Sequence, residues 1–358
     1  MICKYCTALY SNENSDGTFE YLCYGVRHPF VIKDINQECT KCVYGDFCKL
    51  PAWARWANSD LGHITPRRPR LEVLVGVPGS GKSTYAKNKV NSDSNVVWLS
   101  SDATRERLYG DASCQDNPGK VFEIMQKEAV EALERGFDVI YDATNVTRKA
   151  RASILNQVPK YVQKCCIVIW APIDICIERD KARERTVGKE VIDKMLKRFE
   201  APFYDEGFDT IAVHVSDVHY NMEAYYTEAI EAMMIPHDNP HHTADIIEHC
   251  QLCGNNLNLL DEAVPEIVIK AGYLHDIGKP YTKTFVNTKG ETTEIAHYYG
   301  HQGVGAWISY GFFGHDHALA WLISTHMAPF INQKYYSSLT PYYKRWIDWI
   351  HAADRASH

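Results

Sequence analysis

The sequence predicts an α/β unit, a mostly parallel sheet with helices on both faces, followed by an all-α unit and preceded by a small Cys-rich module. Three observations predict this. Between residues 71 and 215, apolar β-type runs alternate with helical ones, the pattern of a parallel sheet. Past Asp217 the β-type runs cease, the periodicity is helical and histidine becomes frequent. Six of the 12 cysteines fall within the first 60 residues. The 358 residues suffice for two or three domains, divided here as 1–65, 66–220, a connecting helix at 221–235, and 236–358.

In the first module, Cys3-x-x-Cys6 and Cys39-x-x-Cys42 form two knuckle-type pairs. Four thiolates at this spacing can close a tetrahedral structural Zn²⁺ site, and a metal would stabilise a segment too short for a large core. Cys23 and Cys48 are alternative ligands, and an iron–sulfur cluster is an alternative occupant. Tyr5, Tyr10 and Tyr21 offer rings on which bases could stack. The stretch Thr65-Pro-Arg-Arg-Pro-Arg70 is a basic, proline-broken boundary.

The α/β unit opens on an apolar run at 71–75, then Gly76-Val-Pro78-Gly79-Ser80-Gly81-Lys82-Ser83-Thr84, then a helical run at 84–90. Strand, glycine-rich loop and helix are the context of a phosphate-cradling P-loop. Glycines let successive N–H groups turn toward an anion at a helix N-terminus. Lys82 reaches the β- and γ-phosphates of ATP or another NTP, and the Ser83 hydroxyl ligates Mg²⁺. Further β-runs are expected at 96–99, 139–141, 166–170 and 210–213, with helices at 121–134, 147–156, 173–185 and 190–199.

Three clusters fall at strand ends, where α/β sheets bind ligands. In Ser100-Ser101-Asp102-Ala-Thr-Arg105, Asp102 is a candidate base for an acceptor hydroxyl, and Arg105 could hold an anionic part of the acceptor. In Tyr141-Asp142-Ala-Thr-Asn145, Asp142 can touch the Mg²⁺ water shell. In Arg179-Asp180-Lys-Ala-Arg183-Glu-Arg185, arginines four apart share a helix face and suit a lid over a transferring phosphoryl group.

In order and spacing, GVPGSGKS, SSDATR, DATN and RDKAR resemble the P-loop kinases related to polynucleotide 5′-kinase, over residues 71–215. The resemblance implies that the loop from Gly76 to Thr84, with Arg179 and Arg183, binds nucleotide. It implies that Asp102 is the base for a 5′-hydroxyl and that Arg105, Asp142 and Asn145 serve the acceptor. The pattern departs at Ser101, where some relatives carry Arg.

The helical unit centres on His275-Asp276 in Leu274-His-Asp-Ile-Gly-Lys279, with Gly278 placed to end a helix. His242 and His249 lie upstream; His301, His326, His351 and Asp354 lie downstream. An imidazole/carboxylate shell suits Mn²⁺, Fe, Ni²⁺, Co²⁺ or Mg²⁺. Cys250 and Cys253 are read as packing residues. The order H…HD…H…H…D, with LHDIGK, resembles HD-superfamily phosphohydrolases from residue 236 onward. The resemblance assigns His249, His275, Asp276 and Asp354 as metal ligands. It makes His301 and His326 second-metal ligands or phosphate contacts, and Lys279 a phosphate contact; His242 is a rival to His249.

The net charge of −7 provides no bulk attraction to nucleic acid or an anionic membrane. There is no signal-peptide pattern and no apolar run of membrane-spanning length, so no membrane partner and a reducing, cytoplasmic setting are expected. Together the two likenesses resemble bifunctional nucleic-acid end-healing enzymes, which implies RNA or DNA ends as substrates and a ligase acting downstream. A small-molecule or nucleoside kinase fused to a nucleotidase is the alternative, favoured by the acidic charge and opposed by basic stretches at 67–70, 148–151 and 181–198.

Overall fold

The computed structural model describes residues 68–357, except 115, 217–218, 240–243, 261–262 and 313–314, and three short strands ahead of them. These strands, β1 (Leu9–Glu13), β2 (Phe19–Cys23) and β3 (Phe30–Ile32), pair as an antiparallel meander. Cys3, Cys6, Cys39, Cys42, the alternative ligand Cys48 and the rival His242 lie outside the described residues.

Five strands then form one wholly parallel sheet: β4 (Arg70–Val75), β5 (Val96–Ser100), β6 (Asp138–Asp142), β7 (Gln163–Trp170) and β8 (Thr210–Val215). Their order is β5-β6-β4-β7-β8. The chain leaves central β4 toward β5 and β6, then returns to its other side for β7 and β8. That reversal is a topological switch point, and the crevice it leaves lies at the strands' carboxyl ends. Strand β4 is buried on both faces, which is why 71–75 reads as an apolar run broken only by Glu72, a buried carboxylate that accepts from Arg70 and Tyr85. Leu71, Val73 and Val75 share a core with Val121, Met125 and Leu133, while Leu74 packs on the other face with Ala86, Val96, Ile140 and Ile169.

The intervening helices are α1 (Lys82–Ser92), α2 (Ser101–Tyr109), α3 (Pro118–Glu134), α4 (Arg148–Leu155), α5 (Ile173–Lys181) and α6 (Lys189–Lys197). Helix α5 stops four residues short of the expected 173–185. The cause is Asp180, 1% exposed, whose carboxylate accepts the N–H groups of Val187 and Gly188 and turns the chain. Arg183 therefore lies past the helix, and the expected shared helix face with Arg179 does not form.

The second unit follows α7 (Met222–Ala232) and comprises α8 (Ile246–Asn258), α9 (Glu266–Leu274), α10 (Lys279–Thr282), α11 (His301–Ser309), α12 (His317–Thr325), α13 (Ala328–Ile331), α14 (Gln333–Ser338) and α15 (Pro341–Arg355). It also carries an antiparallel hairpin, β9 (Thr284–Val286) and β10 (Thr292–His297), where only helical patterns are expected. The hairpin is largely solvent-facing and rich in Thr, so it has little apolar alternation to read. Cys250 and Cys253 are core residues, as read.

The two units share one hydrophobic core. Trp170 at the end of β7 donates its indole N–H to Trp307 O at 2.8 Å, and Trp307 on α11 donates to Ala171 O at 3.1 Å. Phe203 stacks on Trp321 with ring centroids 4.3 Å apart. Gly311 lets the Trp170 ring approach, since a Cβ there would lie 2.5 Å from the indole.

Candidate active sites

The phosphate loop leaves β4 at Gly76, whose N–H donates to Thr144 O at 2.9 Å. Gly79 has φ +80°, and a Cβ on it would sit 2.0 Å from Cys176 O, so only glycine fits. Pro78 and Ser80 are buried in the loop, and Gly81, φ +100°, opens α1 with no side-chain cap. The first-turn N–H groups of α1, from Lys82 through Thr84, therefore have no capping side chain and face the crevice end of the helix. Lys82 is buried, and Nζ donates to Gly76 O and Val77 O at 2.9 Å each. Burial lowers the Lys82 pKa, against the pull of Asp142. The Ser83 hydroxyl donates to Asp142 Oδ2 at 3.2 Å, and the Trp98 indole donates to the same oxygen at 3.1 Å. Burial raises the Asp142 pKa, and Lys82 opposes it. A hydroxyl beside a buried carboxylate is an oxygen donor set that fits Mg²⁺.

Asp102 stands in the first turn of α2, which Ser100 caps by accepting from Ala103 N–H. Its carboxylate is 63% exposed, is bound by Arg105 Nη1 at 2.8 Å and has Arg185 Nη1 at 3.9 Å. Its charge acts on Lys82 and Asp142 only weakly, behind burial and their nearer neighbours. Arg179 donates to Ser216, whose hydroxyl donates to Ser80 O at 2.6 Å, so this arginine is linked to the phosphate loop through one serine. Arg183 acts electrostatically on Lys82. Asn145 is different: with φ +48° and 3% exposure, its amide donates to Leu74 O and Ala143 O. It pins the loop after β6 to the end of β4.

The second centre gathers side chains from six places. His249 comes from α8, His275 and Asp276 from the turn after α9, Lys279 from the start of α10, His301 from the start of α11, His326 from the cap of α12, and Asp354 from α15. Two donor triads each lie within 4.8 Å: His249, His275 and Asp276, and Asp276, His301 and His326. Asp276 is common to both. Asp354 Oδ1 closes the first triad, 2.9 Å from His249 Nε2 and 3.5 Å from His275 Nε2. Three histidines are held in the same way: Nδ1 of His275, His301 and His326 meets the carbonyl three residues back, of Gly272, Tyr298 and Ile323, at 2.9, 2.8 and 2.7 Å. A carbonyl only accepts, so Nδ1 carries the proton and each Nε2 is turned inward as a donor to a cation. Gly278 is not the left-handed helix end its position implies; it has φ −82°. Its role is close approach, because a Cβ there would lie 2.0 Å from His301 O.

Electrostatics fit the same purpose. Burial acts to lower the pKa of His275, but Asp276 beside it holds it well above the usual histidine range. Burial acts to raise the pKa of Asp276, but Lys279 and His275 hold it well below the usual carboxylate range. Asp354 is likewise held low against burial by hydrogen bonds from His249 and His275. Burial, with His301 alongside, pushes His326 down to about 3, keeping it neutral. Such a charge arrangement is one in which a divalent cation replaces a proton. The imidazole and carboxylate donors suit a transition-metal pair better than they suit zinc thiolate chemistry.

Residues 71–202 match the model of the AAA domain, and residues 241–352 match that of the HD domain. The chain joins an AAA domain to an HD domain. A P-loop in the first implies ATP and Mg²⁺, and the second is a class that holds divalent metals. Transcription factor bHLH140 of Arabidopsis thaliana is 31% identical over 40% of this chain and 16% of its own length. L-seryl-tRNA(Sec) kinase of Methanococcus maripaludis is 30% identical over 37% of this chain and 53% of its own length. The chain therefore spans about half or less of these curated relatives. Among solved structures, a chain of the Pnkp1/Rnl/Hen1 complex is similar at 22% identity, over 45% of this chain and 50% of that one, with a TM-score of 0.31. Among the described residues no helix is long and apolar enough to cross a membrane.

Sequence reasoning missed His237 at the HD centre. Its Nε2 accepts from Lys279 Nζ at 3.3 Å, its Nδ1 bonds Ala244 O, and burial with Lys279 nearby pushes it down to about 4. Only its place between Pro236 and the first HD helix pointed to it. In the AAA domain, Trp98 was the unmarked contact of Asp142, and Arg185 of the arginine cluster stands near Asp102.

Proposed function

We propose that the chain heals nucleic-acid ends, RNA above all, phosphorylating a 5′-hydroxyl with residues 66–220 and removing a 3′-phosphate, 2′-phosphate or 2′,3′-cyclic phosphate with residues 236–358. The observation that carries this is a phosphate loop with Lys82 and the Ser83–Asp142 pair in place, in one body with a metal-type cluster of His249, His275, Asp276, His301 and His326 closed by Asp354. In the kinase step Asp102 takes the hydroxyl proton as the acceptor oxygen bonds to the γ-phosphorus of ATP and the β–γ bridge breaks, releasing ADP. Lys82, Arg179 and Arg183 offset charge on the transferring group, Arg105 holds the acceptor phosphodiester, and Asp142 orients the Ser83 side of the site. Asn145 supports the acceptor loop through its backbone contacts rather than by touching substrate.

At the HD centre His249, His275, Asp276 and Asp354, with His301 and His326, would hold divalent metal, Mn, Ni, Co or Fe. When bound, that metal supplies Lewis acidity toward a phosphoryl oxygen and a water. Lys279, 2.5 Å from Asp276, stands ready to neutralise the phosphate leaving or entering, and His237 orients Lys279. The products, a 5′-phosphate and a 3′-hydroxyl, are what a ligase joins. The likeness to a protein named L-seryl-tRNA(Sec) kinase supports a hydroxyl acceptor borne on RNA.

A nucleoside or other small-molecule kinase fused to a nucleotidase is the second reading, and one observation favours it. Arg148 and Arg151, read from sequence as a basic stretch, are paired internally with Asp205 and Glu206, and Arg151 is fully buried. One oligonucleotide with 5′-hydroxyl and 2′,3′-cyclic phosphate ends separates these readings. With ATP and Mg²⁺, wild type should gain 5′-phosphate and lose the cyclic end, Lys82→Ala should lose only the first activity and Asp276→Ala only the second. Preference for mononucleosides in competition would overturn the polynucleotide reading.

A further inference from the structure

Between the two domains lies a cleft of about 370 Å³ that belongs to neither centre. Its AAA wall is the start of α4 and the end of α6, with Lys149, Lys197 and Arg198; its HD wall includes Gln302, Thr325 and Ile331. Each wall adjoins a centre in sequence. Thr147 lies two residues past Asn145, Gln302 follows His301, and Thr325 precedes His326.

The charge in the cleft is positive and uncommitted. The side chains of Lys149, Lys197 and Arg198 are exposed and make no hydrogen bond or ion pair among the described residues. The one carboxylate in the lining, Glu200, is engaged by the N–H of Arg148 at 2.8 Å. Arg148 itself is spent on Asp205 and on the face of Tyr335, 4.2 Å from the ring centroid. Ile331 in the HD lining is 60% exposed; Phe330, next to it in sequence, is 70% exposed and stacks on His351, whose imidazole bonds the carbonyl of His326. A cationic groove with an exposed aromatic one residue from its lining offers the chemistry that takes single-stranded nucleic acid: phosphates in the groove, a base on the ring. The volume lies within the range of about 300–1,000 Å³ usual for ligand sites, enough to seat the backbone of one nucleotide.

We propose that this cleft is a binding track for a single strand, passing its phosphodiester backbone between the kinase acceptor side and the HD centre. The inference rests on the end-healing reading above. It explains how a protein with net charge −7 holds a polyanion, by three local cations rather than by bulk attraction.

The test uses the full chain with Lys149→Glu, Lys197→Glu and Arg198→Glu combined, and a second variant carrying Gln at the same three positions. Binding of a 5′-hydroxyl 12-mer is followed by fluorescence anisotropy across a salt series, alongside hydrolysis of p-nitrophenyl phosphate and bis-p-nitrophenyl phosphate. Both variants should bind the 12-mer at least tenfold more weakly. The Gln variant should lose about 2 from the slope of log affinity against log salt, at roughly 0.7 per phosphate contact. Whichever small ester wild type hydrolyses should turn over unchanged, which also shows the HD centre intact. Phe330→Ala should weaken the 12-mer severalfold with no change in slope. An unchanged slope and affinity in the triple variants, while wild type still phosphorylates the 12-mer, overturns the track alone; equal losses for the 12-mer and the small ester overturn it as well. A wild-type protein that ignores oligonucleotides sinks the end-healing reading together with the track.

Discussion

A single carboxylate, Asp276, decides the form of the HD centre. It belongs to both donor triads, so its removal should disable both, whereas Asp354 closes only the first. Emission spectrometry on metal-loaded protein should therefore give two equivalents for wild type, about one for Asp354→Asn and close to none for Asp276→Asn. Equal loss from both variants would mean that one cation, not two, is held. These ligand types were legible because histidine and aspartate recur in a fixed order along the chain. His237 was not, because a lone histidine after a proline has no periodicity to mark it; only its contact with Lys279 gives it a place. Asn145 was misplaced for a related reason. A polar residue at a strand end reads as facing ligand, yet this one turns inward to hold Leu74 O.

At the level of elements, the parallel strands were readable because buried strands in such sheets are continuous apolar runs. Their ends were extended by a residue or more in the structure, most at β7, which begins at Gln163. The early end of α5 was not readable, since it depends on Asp180 folding back onto Val187 and Gly188, a contact formed only after the turn exists. Gly278 carries a comparable lesson. A glycine near a helix end reads as a cap, but here it admits the carbonyl of His301. Gly278→Ala should force α10 and α11 apart, cost about 1–3 kcal/mol of stability as overpacking does, and lower metal content through His301. Calorimetry with metal analysis checks both. A variant that binds metal normally with an unshifted melting temperature would refute the close-approach role. The hairpin of β9 and β10 escaped notice because its residues are mostly exposed and polar.

Across the whole molecule, the order of units was legible from composition, but their union was not. Trp170 and Trp307 lie 137 positions apart, and nothing in the spacing says that they meet. Truncating Trp307 to Ala removes a fully buried ring and one of the two indole bonds. It should cost about 3–5 kcal/mol, typical for Trp→Ala in a core. Thermal unfolding should be a single transition in wild type, because the AAA and HD domains share their core. Calorimetry showing two well-separated transitions would mean that the domains melt independently.

The crossed tryptophans also act as a ruler. Because each indole is anchored in the other unit's backbone, the gap from phosphate loop to metal cluster is built into the fold and does not stretch with a tether. On the end-healing function proposed above, a broken strand must then offer its two termini in turn, or at one set separation. That proposed activity should be highest on breaks whose flanking geometry matches that span.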